Sequence, residues 1–236
     1  MPVSKVWLPA LLALTALCCS SRSAPKSAAA VDPVALVRSI SSQTVAIIAR
    51  DSDGDTTPFC SGIWIARESI LTAGHCAKML EEDDSSPVGS MFSYIVQDEV
   101  VAQYEDPKRT HRARVVRYDA EHDLALLEAL NPPAHETVRL VNVPPEPGVP
   151  LYCVGQDHGF YWTYIPGAMS GVIGELKYLE GKRGPWLQVT APVSLGMSGS
   201  GSFDSDGRLL GTLSFISSTP NVAFYVHPDT IRAFVH

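Results

Sequence analysis

The stretch CSGIWIARESILTAGHC, residues 60–76, decides the fold class of this chain. Two apolar runs, 60–66 and 69–73, flank the polar pair Arg67 and Glu68, which is typical of a β-hairpin. The chain around it repeats this pattern, with short apolar or alternating runs separated by Gly, Pro, Asp and Asn. Many short strands at such spacing predict an all-β sandwich or barrel.

Outside this hairpin, further strands are predicted at 44–50, 91–97, 112–118, 124–129, 138–141, 150–155, 169–178, 186–190, 201–203, 208–214 and 221–227. A helix is predicted near the C-terminus over Thr230–Val235, with Asp229 as its N-terminal cap after Pro228. Asp32–Ser39 is a second candidate for a helix.

The composition is typical of a globular chain. Hydrophobic residues make up 45% of it and the net charge is -7, so a sizeable core is expected without the basic face of a nucleic-acid-binding protein. The acidic run 81–84 predicts a solvated loop; calcium binding is an alternative, although the run lacks the alternating spacing of a calcium loop. No grouping of His, Cys and Asp has zinc spacing, so neither a metal nor another cofactor is predicted.

Residues 1–30 have the organisation of an export signal and linker. Lys5 precedes the short apolar run Val6–Leu17, and small residues dominate 18–30. The run is too short to span a bilayer comfortably, so a periplasmic, cell-envelope or secreted protein is predicted. Two cleavage alternatives stay open: lipidation at Cys18 or Cys19, the only membrane contact predicted, or ordinary cleavage near Ala24 or Ala30.

Export would allow the cysteines after residue 30 to form a disulfide, because an oxidising compartment permits such bonds. Cys60 and Cys76 bracket the segment that ends at His75, so a bridge between them would hold the loop carrying this histidine. Closing a loop of this size stabilises a fold by about 3 kcal/mol in the chain-entropy treatment. Cys153, in the apolar run 151–154, is predicted to be a small buried side chain.

Three segments supply a histidine, an aspartate and a serine in that order: LTAGHC with His75, HDLALL with Asp123 and GMSGSG with Ser198. A serine hydroxyl is a poor nucleophile until a histidine accepts its proton and a carboxylate fixes the tautomer of that imidazole. The three segments together therefore indicate nucleophilic catalysis by Ser198. Ser200 also precedes a glycine and is the competing nucleophile, but the residue two before it is Ser198 and not a glycine.

Segments Ser69–Cys76, Glu121–Leu127 and Gly196–Gly201 resemble the histidine, aspartate and serine segments of the trypsin/chymotrypsin superfamily of serine proteases. The resemblance implies a chymotrypsin-like domain over 31–236, with two six-stranded antiparallel β-barrels at about 40–130 and 138–227 and a short C-terminal helix. It also implies a serine endopeptidase that cleaves proteins or peptides through an acyl-enzyme.

The resemblance assigns a role to each matching residue. Ser198 is the nucleophile, His75 the general base and then acid, and Asp123 the residue that orients the imidazole. The backbone amides of Gly196 and Ser198 form the oxyanion hole, which needs the conformational freedom of glycine at 196. A hydrogen bond from Ser214 to Asp123 is also implied.

Segments Pro147–Gly155, Ser170–Ile173 and Gln188–Pro192 resemble the bacterial Deg-type branch of the superfamily, and a member without PDZ domains is expected. Digestive members carry an aspartate before the nucleophile that pairs with a newly cut N-terminus. Met197 stands at that position here, so an enzyme that needs no cleavage beyond signal removal is predicted.

The substrate pocket implied by the resemblance comprises Pro192, Ser214, Phe215 and Ile216. Pro192 at its floor offers no carboxylate to lysine or arginine, and Ile216 would narrow its entrance. A preference for small or medium apolar residues before the scissile bond is therefore predicted.

Two other functions are alternatives. An exported binding or scaffold protein could use the same fold without cutting. An esterase of the α/β-hydrolase type would need the order serine, aspartate, histidine, which the order here contradicts. The aromatic residues Tyr161, Trp162 and Tyr164 are interpreted as loop or core packing in preference to a substrate groove, and His122 is expected on the strand face opposite Asp123.

Overall fold

The computed structural model describes residues 32–50, 56–79, 86–96, 110–174 and 181–236, all within one compact unit, Val31–His236. The predicted export signal at 1–30 and the acidic run 81–84 lie outside the described residues. No helix in the described part is both long enough and apolar enough to cross a membrane.

The first barrel is built from β1 (Thr44–Arg50), β2 (Thr56–Ala66), β3 (Ser69–Ala73), β4 (Met91–Val96), β5 (His111–Asp119) and β6 (Leu124–Leu130). These strands close in the antiparallel order β1-β2-β3-β6-β5-β4, and β2 pairs with β3 in the predicted hairpin. Trp64, Tyr94 and Leu127 are at most 1% exposed in the core of this barrel. Removing such large apolar side chains from water supplies most of the driving force for closing the barrel.

The second barrel follows β7 (Arg139–Leu140) and contains β8 (Pro150–Asp157), β9 (Phe160–Ile173), β10 (Trp186–Thr190), β11 (Gly201–Phe203), β12 (Arg208–Ile216) and β13 (Val222–Val226). Its antiparallel order is β11-β8-β9-β10-β13-β12, and a further pairing of β11 with β12 closes it. The predicted pair of six-stranded barrels is therefore confirmed. In addition, β7 pairs with β12 in parallel.

Strand β9 is longer than predicted. It begins at Phe160 and not at residue 169, while 175–178 lie outside the described residues. Proline and glycine, which stand at 166 and 167, weaken the interior of a strand. Pairing with β10 begins only at Ala168, however, so the missing amide hydrogen of Pro166 removes no bond to that strand. Gly167 is needed because a Cβ there would lie 2.9 Å from the carbonyl oxygen of Thr190.

Three helices complete the described part of the fold: α1 (Pro33–Ser42), α2 (Gly74–Lys78) and α3 (Pro228–Val235). Asp32 caps α1 by accepting hydrogen bonds from the first amides of the helix, which confirms the second helix candidate. Leu36 and Ile40 of α1 pack into a buried apolar cluster with residues of the second barrel. Trp162, which lies on β9 and not in a loop, donates its indole N–H to the carbonyl oxygen of Ser41 at 3.0 Å.

The C-terminal helix α3 exists, but its predicted cap is wrong. The helix begins at Pro228, and the Nδ1 atom of His227 accepts the hydrogen bond from the amide of Asp229 at 3.2 Å. Asp229 itself lies in the first turn, where its carboxylate pairs with Arg232 at 2.6 Å. Proline at the first helical position needs no amide partner, which moves the helix start two residues towards the N-terminus.

Candidate active site

The residues that the sequence singled out come from both barrels. His75 lies in α2, directly after β3, and Asp123 lies in the turn between β5 and β6. Ser198 lies in the loop that joins β10 to β11 of the second barrel. The candidate site therefore combines a histidine and an aspartate from the first barrel with the serine loop of the second.

His75 and Asp123 are joined by two hydrogen bonds. The Nδ1 atom of His75 lies 2.9 Å from Oδ2 of Asp123, and the backbone amide of His75 donates to Oδ1 at 2.9 Å. The neighbouring amide of Gly74 donates to the carbonyl oxygen of Asp123 at 2.8 Å. With Nδ1 held by the carboxylate, Nε2 is the ring nitrogen left to accept a proton from a nucleophile.

Asp123 lies in a turn and not on a strand, with a backbone φ of 55°. The expectation that Asp123 and His122 occupy opposite faces of a strand is therefore wrong, since β6 begins only at Leu124. His122 instead pairs with Asp119, and its Nδ1 lies 2.7 Å from Oδ2 of that residue. The turn thus directs the two neighbouring side chains to different partners.

Ser214, from the second barrel, donates its hydroxyl to Oδ2 of Asp123 at 2.5 Å. The register between β12 and β13 shifts between Leu213 and Phe215, so Ser214 sits at an irregularity in the ladder. Such a bulge re-aims a side chain that regular pleating would direct elsewhere. Ser214 is only 3% exposed, and this hydrogen bond satisfies its buried hydroxyl.

Lys182 is a member of the site that the sequence did not reveal. Its ammonium lies 3.0 Å from Oδ1 of Asp123 and donates to the carbonyl oxygen of Ala120 at 3.0 Å. Lys182 precedes β10 and is 59 residues from Asp123 along the chain. No local motif connects two residues so far apart, because only the docking of the barrels brings them together.

These contacts determine the protonation state of Asp123. Burial alone would raise the pKa of this carboxyl, since its side chain is only 2% exposed. The hydrogen bond and charge of His75, the charge of Lys182 and the hydroxyl of Ser214 outweigh burial and hold the pKa of Asp123 well below its usual range. Asp123 is therefore a carboxylate at neutral pH.

The serine loop presents two backbone amides, those of Gly196 and Ser198. The carbonyl oxygen of Leu195 accepts a bond from the turn between β8 and β9 at 3.2 Å, and the carbonyl oxygen of Met197 accepts from the amide of Ser200 at 2.8 Å. In a trans peptide the N–H points opposite to the C=O of the preceding residue. The amides of Gly196 and Ser198 therefore point away from the groups that bind the carbonyl oxygens of Leu195 and Met197. Neither amide donates to a backbone acceptor among the described residues.

Gly196 is required by both conformation and space. Its φ is 96°, a region that residues with a side chain rarely adopt. A Cβ at this position would lie 2.2 Å from Nε2 of Gln156. Ser61 holds the loop from the first barrel, because its hydroxyl donates to the carbonyl oxygen of Gly196 at 3.2 Å and its amide donates to that of Ser198 at 2.8 Å.

Burial distinguishes the two candidate nucleophiles. Ser200 is 0% exposed, and its hydroxyl has no hydrogen-bond partner among the described residues. Ser198 is partly exposed in the same loop. A substrate can reach Ser198 without unfolding the loop, whereas Ser200 is enclosed.

The cysteines have the predicted arrangement. A disulfide joins Cys60 to Cys76, and it fastens α2, which carries His75, to β2. The potential ligand atoms of Cys60, His75 and Cys76 lie within 4.8 Å of one another, but both sulfurs are committed to the disulfide and are not thiolates. Cys153 is a buried free cysteine, and burial raises the pKa of its thiol to about 11.

The predicted pocket residues separate into two places. Phe215 and Ile216 line an open groove together with Gln188, Ser217, Ser218, Thr219, Val222 and Phe224. Phe215 stacks on Phe224 with ring centroids 4.6 Å apart, and Ile216 is 37% exposed. Ser214 points to Asp123 instead, and the exposed Pro192 is not part of this groove. The groove contains no carboxylate among the residues that line it.

Solved structures share the fold. The Rv3671c protease of M. tuberculosis in its active form is 18% identical to this chain, with a TM-score of 0.67, and the match covers 90% of this chain and 92% of that one. An inactive mutant form of the same protein gives 18% identity and a TM-score of 0.67 over 90% of this chain and 93% of that one. At this level of identity the likeness establishes the fold alone. No curated protein matches the sequence significantly.

A sequence profile of the trypsin-like peptidase domain matches residues 60–211. This range begins at the disulfide cysteine of β2, includes His75, Asp123 and Ser198, and ends within β12. The profile and the pair of closed barrels agree, and the chain belongs to the family of trypsin-like peptidases.

Proposed function

We propose that this chain is a serine endopeptidase in which Ser198, His75 and Asp123 form the catalytic triad. The observation that carries the proposal is the pairing of Nδ1 of His75 with a buried carboxylate, which leaves Nε2 as the ring nitrogen that can act as a base. The adjacent residue Cys76 contacts the serine loop, with its Sγ atom 3.7 Å from the carbonyl oxygen of Ser198. A partly exposed Ser198 and a buried Ser200 favour the first as nucleophile. The family of trypsin-like peptidases supports the same reaction.

The chemistry follows from these roles. The Oγ atom of Ser198 attacks the carbonyl carbon of the scissile peptide bond while Nε2 of His75 takes the hydroxyl proton. The amides of Gly196 and Ser198 donate to the oxygen that becomes negatively charged in the tetrahedral intermediate. His75 then gives its proton to the leaving nitrogen as the C–N bond breaks. Water, activated by the same base, releases the acyl group from Ser198.

Asp123 has a supporting role in this proposal. Its carboxylate fixes the tautomer of His75 and stabilises the imidazolium that forms during each proton transfer. The low pKa of Asp123 keeps it ionised, so it does not take the proton itself. Ser214 and the amide of His75 hold the carboxylate in place.

For the substrate, we propose a small or medium apolar residue before the scissile bond. Phe215 and Ile216 line a groove without a carboxylate, so lysine and arginine would find no counter-charge there. For the location, we propose export, which would give the Cys60–Cys76 disulfide the oxidising compartment in which it forms and persists.

Labelling with a fluorophosphonate probe tests the reaction. The wild type and Ser200→Ala are expected to react, because the attacking hydroxyl is intact in both, whereas Ser198→Ala is expected to lose labelling and several orders of magnitude of peptide turnover. Ser200→Ala is the matched control, since it removes the same atom two residues away. A peptide library cleaved by the wild type gives the preference before the scissile bond.

Three results would contradict these proposals. A folded wild type that does not label would favour a binding protein on a protease fold. Labelling retained in Ser198→Ala would place the nucleophile elsewhere. A strong preference for arginine in the peptide library would refute the proposed apolar specificity.

A further inference from the structure

The carboxylate of Asp123 carries one contact that the triad chemistry does not require, the ion pair with Lys182. The ammonium lies 3.0 Å from Oδ1, on the oxygen that also accepts the amide of His75. The side chain of Lys182 is 28% exposed and that of Asp123 only 2%. Two charges this close and this well shielded from water interact more strongly than a surface pair does.

The second contact of Lys182 fixes where its charge is. The ammonium also donates to the carbonyl oxygen of Ala120, in the turn that carries Asp123. Two acceptors from one turn hold the ammonium against the carboxylate. The ammonium and the imidazole ring therefore bind different oxygens of Asp123, the ammonium Oδ1 and the ring Oδ2.

The ion pair changes the charge balance of the proposed reaction. Without Lys182, the pair formed by the carboxylate of Asp123 and a neutral His75 would have a net charge of -1, which favours the addition of a proton. With Lys182, the carboxylate is already neutralised, and a protonated His75 would bring the group to a net positive charge. A nearby cation disfavours a second positive charge in the same group.

We propose that Lys182 is a positioning residue that sets the acid limit of this enzyme, by neutralising Asp123 and so keeping His75 unprotonated at lower pH. This inference rests on the proposed catalytic triad. It predicts that loss of the Lys182 charge shifts the acid midpoint of the pH profile. The rate at higher pH, where the base is fully available, should change much less.

Other charged groups near the site must be separated from this effect. The turn of Asp123 also carries His122, which pairs with Asp119 at the end of β5, and Glu121, which pairs with Arg183 at 3.3 Å. From α2, Lys78 follows His75 by one turn. The side chains of Glu121 and Arg183 are 54% and 70% exposed, so their charges are screened by water.

The test is the rate of fluorophosphonate inactivation measured from pH 4 to 9 in the full chain, which needs no knowledge of the natural substrate. Lys182→Met and Lys182→Gln are expected to move the midpoint of the acid limb to higher pH by about one unit. Lys182→Gln keeps a hydrogen-bond donor but removes the charge, so it distinguishes the effect of the charge from the effect of the hydrogen bonds. Lys182→Arg is expected to restore the wild-type midpoint, because it keeps the charge.

Two controls isolate the charge of Lys182. Arg183→Met removes a cation from the adjacent position and is expected to leave the midpoint unchanged. His122→Gln removes the imidazole next to Asp123 in the turn, and an unchanged midpoint shows that the acid limb does not depend on His122. Circular dichroism and thermal unfolding identify any variant that has not folded.

The outcomes distinguish the inference from the proposed function. Labelling of the wild type with an unshifted acid limb in both neutral variants would overturn the role of Lys182 and leave the triad intact. A downward shift, or the same shift in Arg183→Met, would also overturn it. Loss of labelling in the wild type would refute the triad itself.

Discussion

Gly196 shows how a single residue can be essential without a side chain. It combines a φ of 96° with a neighbour, Nε2 of Gln156, that leaves no room for a Cβ. Its amide is one of the two that would hold the oxyanion. Any other residue at this position must change the direction of that amide or displace Gln156.

Gly196→Ala is therefore expected to lower kcat by about 100-fold, because it misplaces one oxyanion donor, while KM changes little. Gly148→Ala is the matched control. Gly148 has a similar φ of 92°, but a Cβ there meets no atom within 4 Å and the residue lies outside the site. Steady-state kinetics of both variants make the comparison, and a Gly196→Ala enzyme with wild-type kcat would contradict the role of this amide.

At this scale the sequence predicted the groups that have local motifs. His75, Asp123 and Ser198 each lie in a recognisable segment, and Gly196 could be named from its place before Ser198. Lys182 could not be predicted, because its partner is 59 residues away and belongs to the other barrel. Sequence spacing carries information about contacts within an element, but not about contacts made when barrels dock.

Among the elements, α3 has an unusual cap. The imidazole of His227 accepts a hydrogen bond from the amide of Asp229, which only an unprotonated Nδ1 can do. Burial lowers the pKa of His227; Asp229 opposes this shift and Arg232 adds to it. The unfolded chain therefore takes up this proton at a higher pH than the folded one, and the contribution of the cap declines as pH falls below about 6.5.

His227→Asn is expected to keep a cap that does not titrate. Its free energy of unfolding should be close to that of the wild type at pH 7 and higher than that of the wild type at pH 5. His227→Ala removes the cap and should be about 1 kcal/mol less stable than the wild type at pH 7. Urea unfolding at both pH values measures these differences. An equal difference between wild type and His227→Asn at the two pH values would show that the imidazole does not act as a titrating cap.

Most strands were predictable because the alternation of apolar residues is a local pattern. The start of β9 was not predicted from this pattern. Pro166 and Gly167 are ordinary turn residues, and nothing in their neighbourhood indicates that β10 approaches only after them. The cap of α3 was missed for a related reason, since histidine is not among the preferred capping residues. In both places the deciding interaction depends on the geometry of the neighbouring backbone.

At the scale of the whole molecule, Met197 bears on the predicted maturation without a zymogen step. Its side chain is 0% exposed and packs into the core cluster of the second barrel. A buried apolar residue before Ser198 cannot form an ion pair with a newly cut N-terminus. The serine loop is held instead by contacts that need no cleavage, including the bonds from Ser61.

The full chain, expressed in an exporting bacterium, is therefore expected to react with fluorophosphonate as soon as its signal is removed. Mass spectrometry of the exported protein should find a new N-terminus between residues 18 and 31 and no later cut. Export with Met1 intact would contradict the predicted signal. Protein that lacks its signal but reacts only after a further cut would contradict maturation without a zymogen step.

The carboxylate of Asp123 joins the two barrels, because it belongs to the first and accepts hydrogen bonds from Ser214 and Lys182 of the second. During synthesis the ribosome makes the first barrel, with His75 and Asp123, well before Ser198. A half-made chain thus has a base with no nucleophile, and a complete chain has no working site until its barrels dock. In the proposed mechanism, proteolytic activity therefore depends on the docking of the barrels, and a nascent chain that has not reached Ser198 is unable to digest itself.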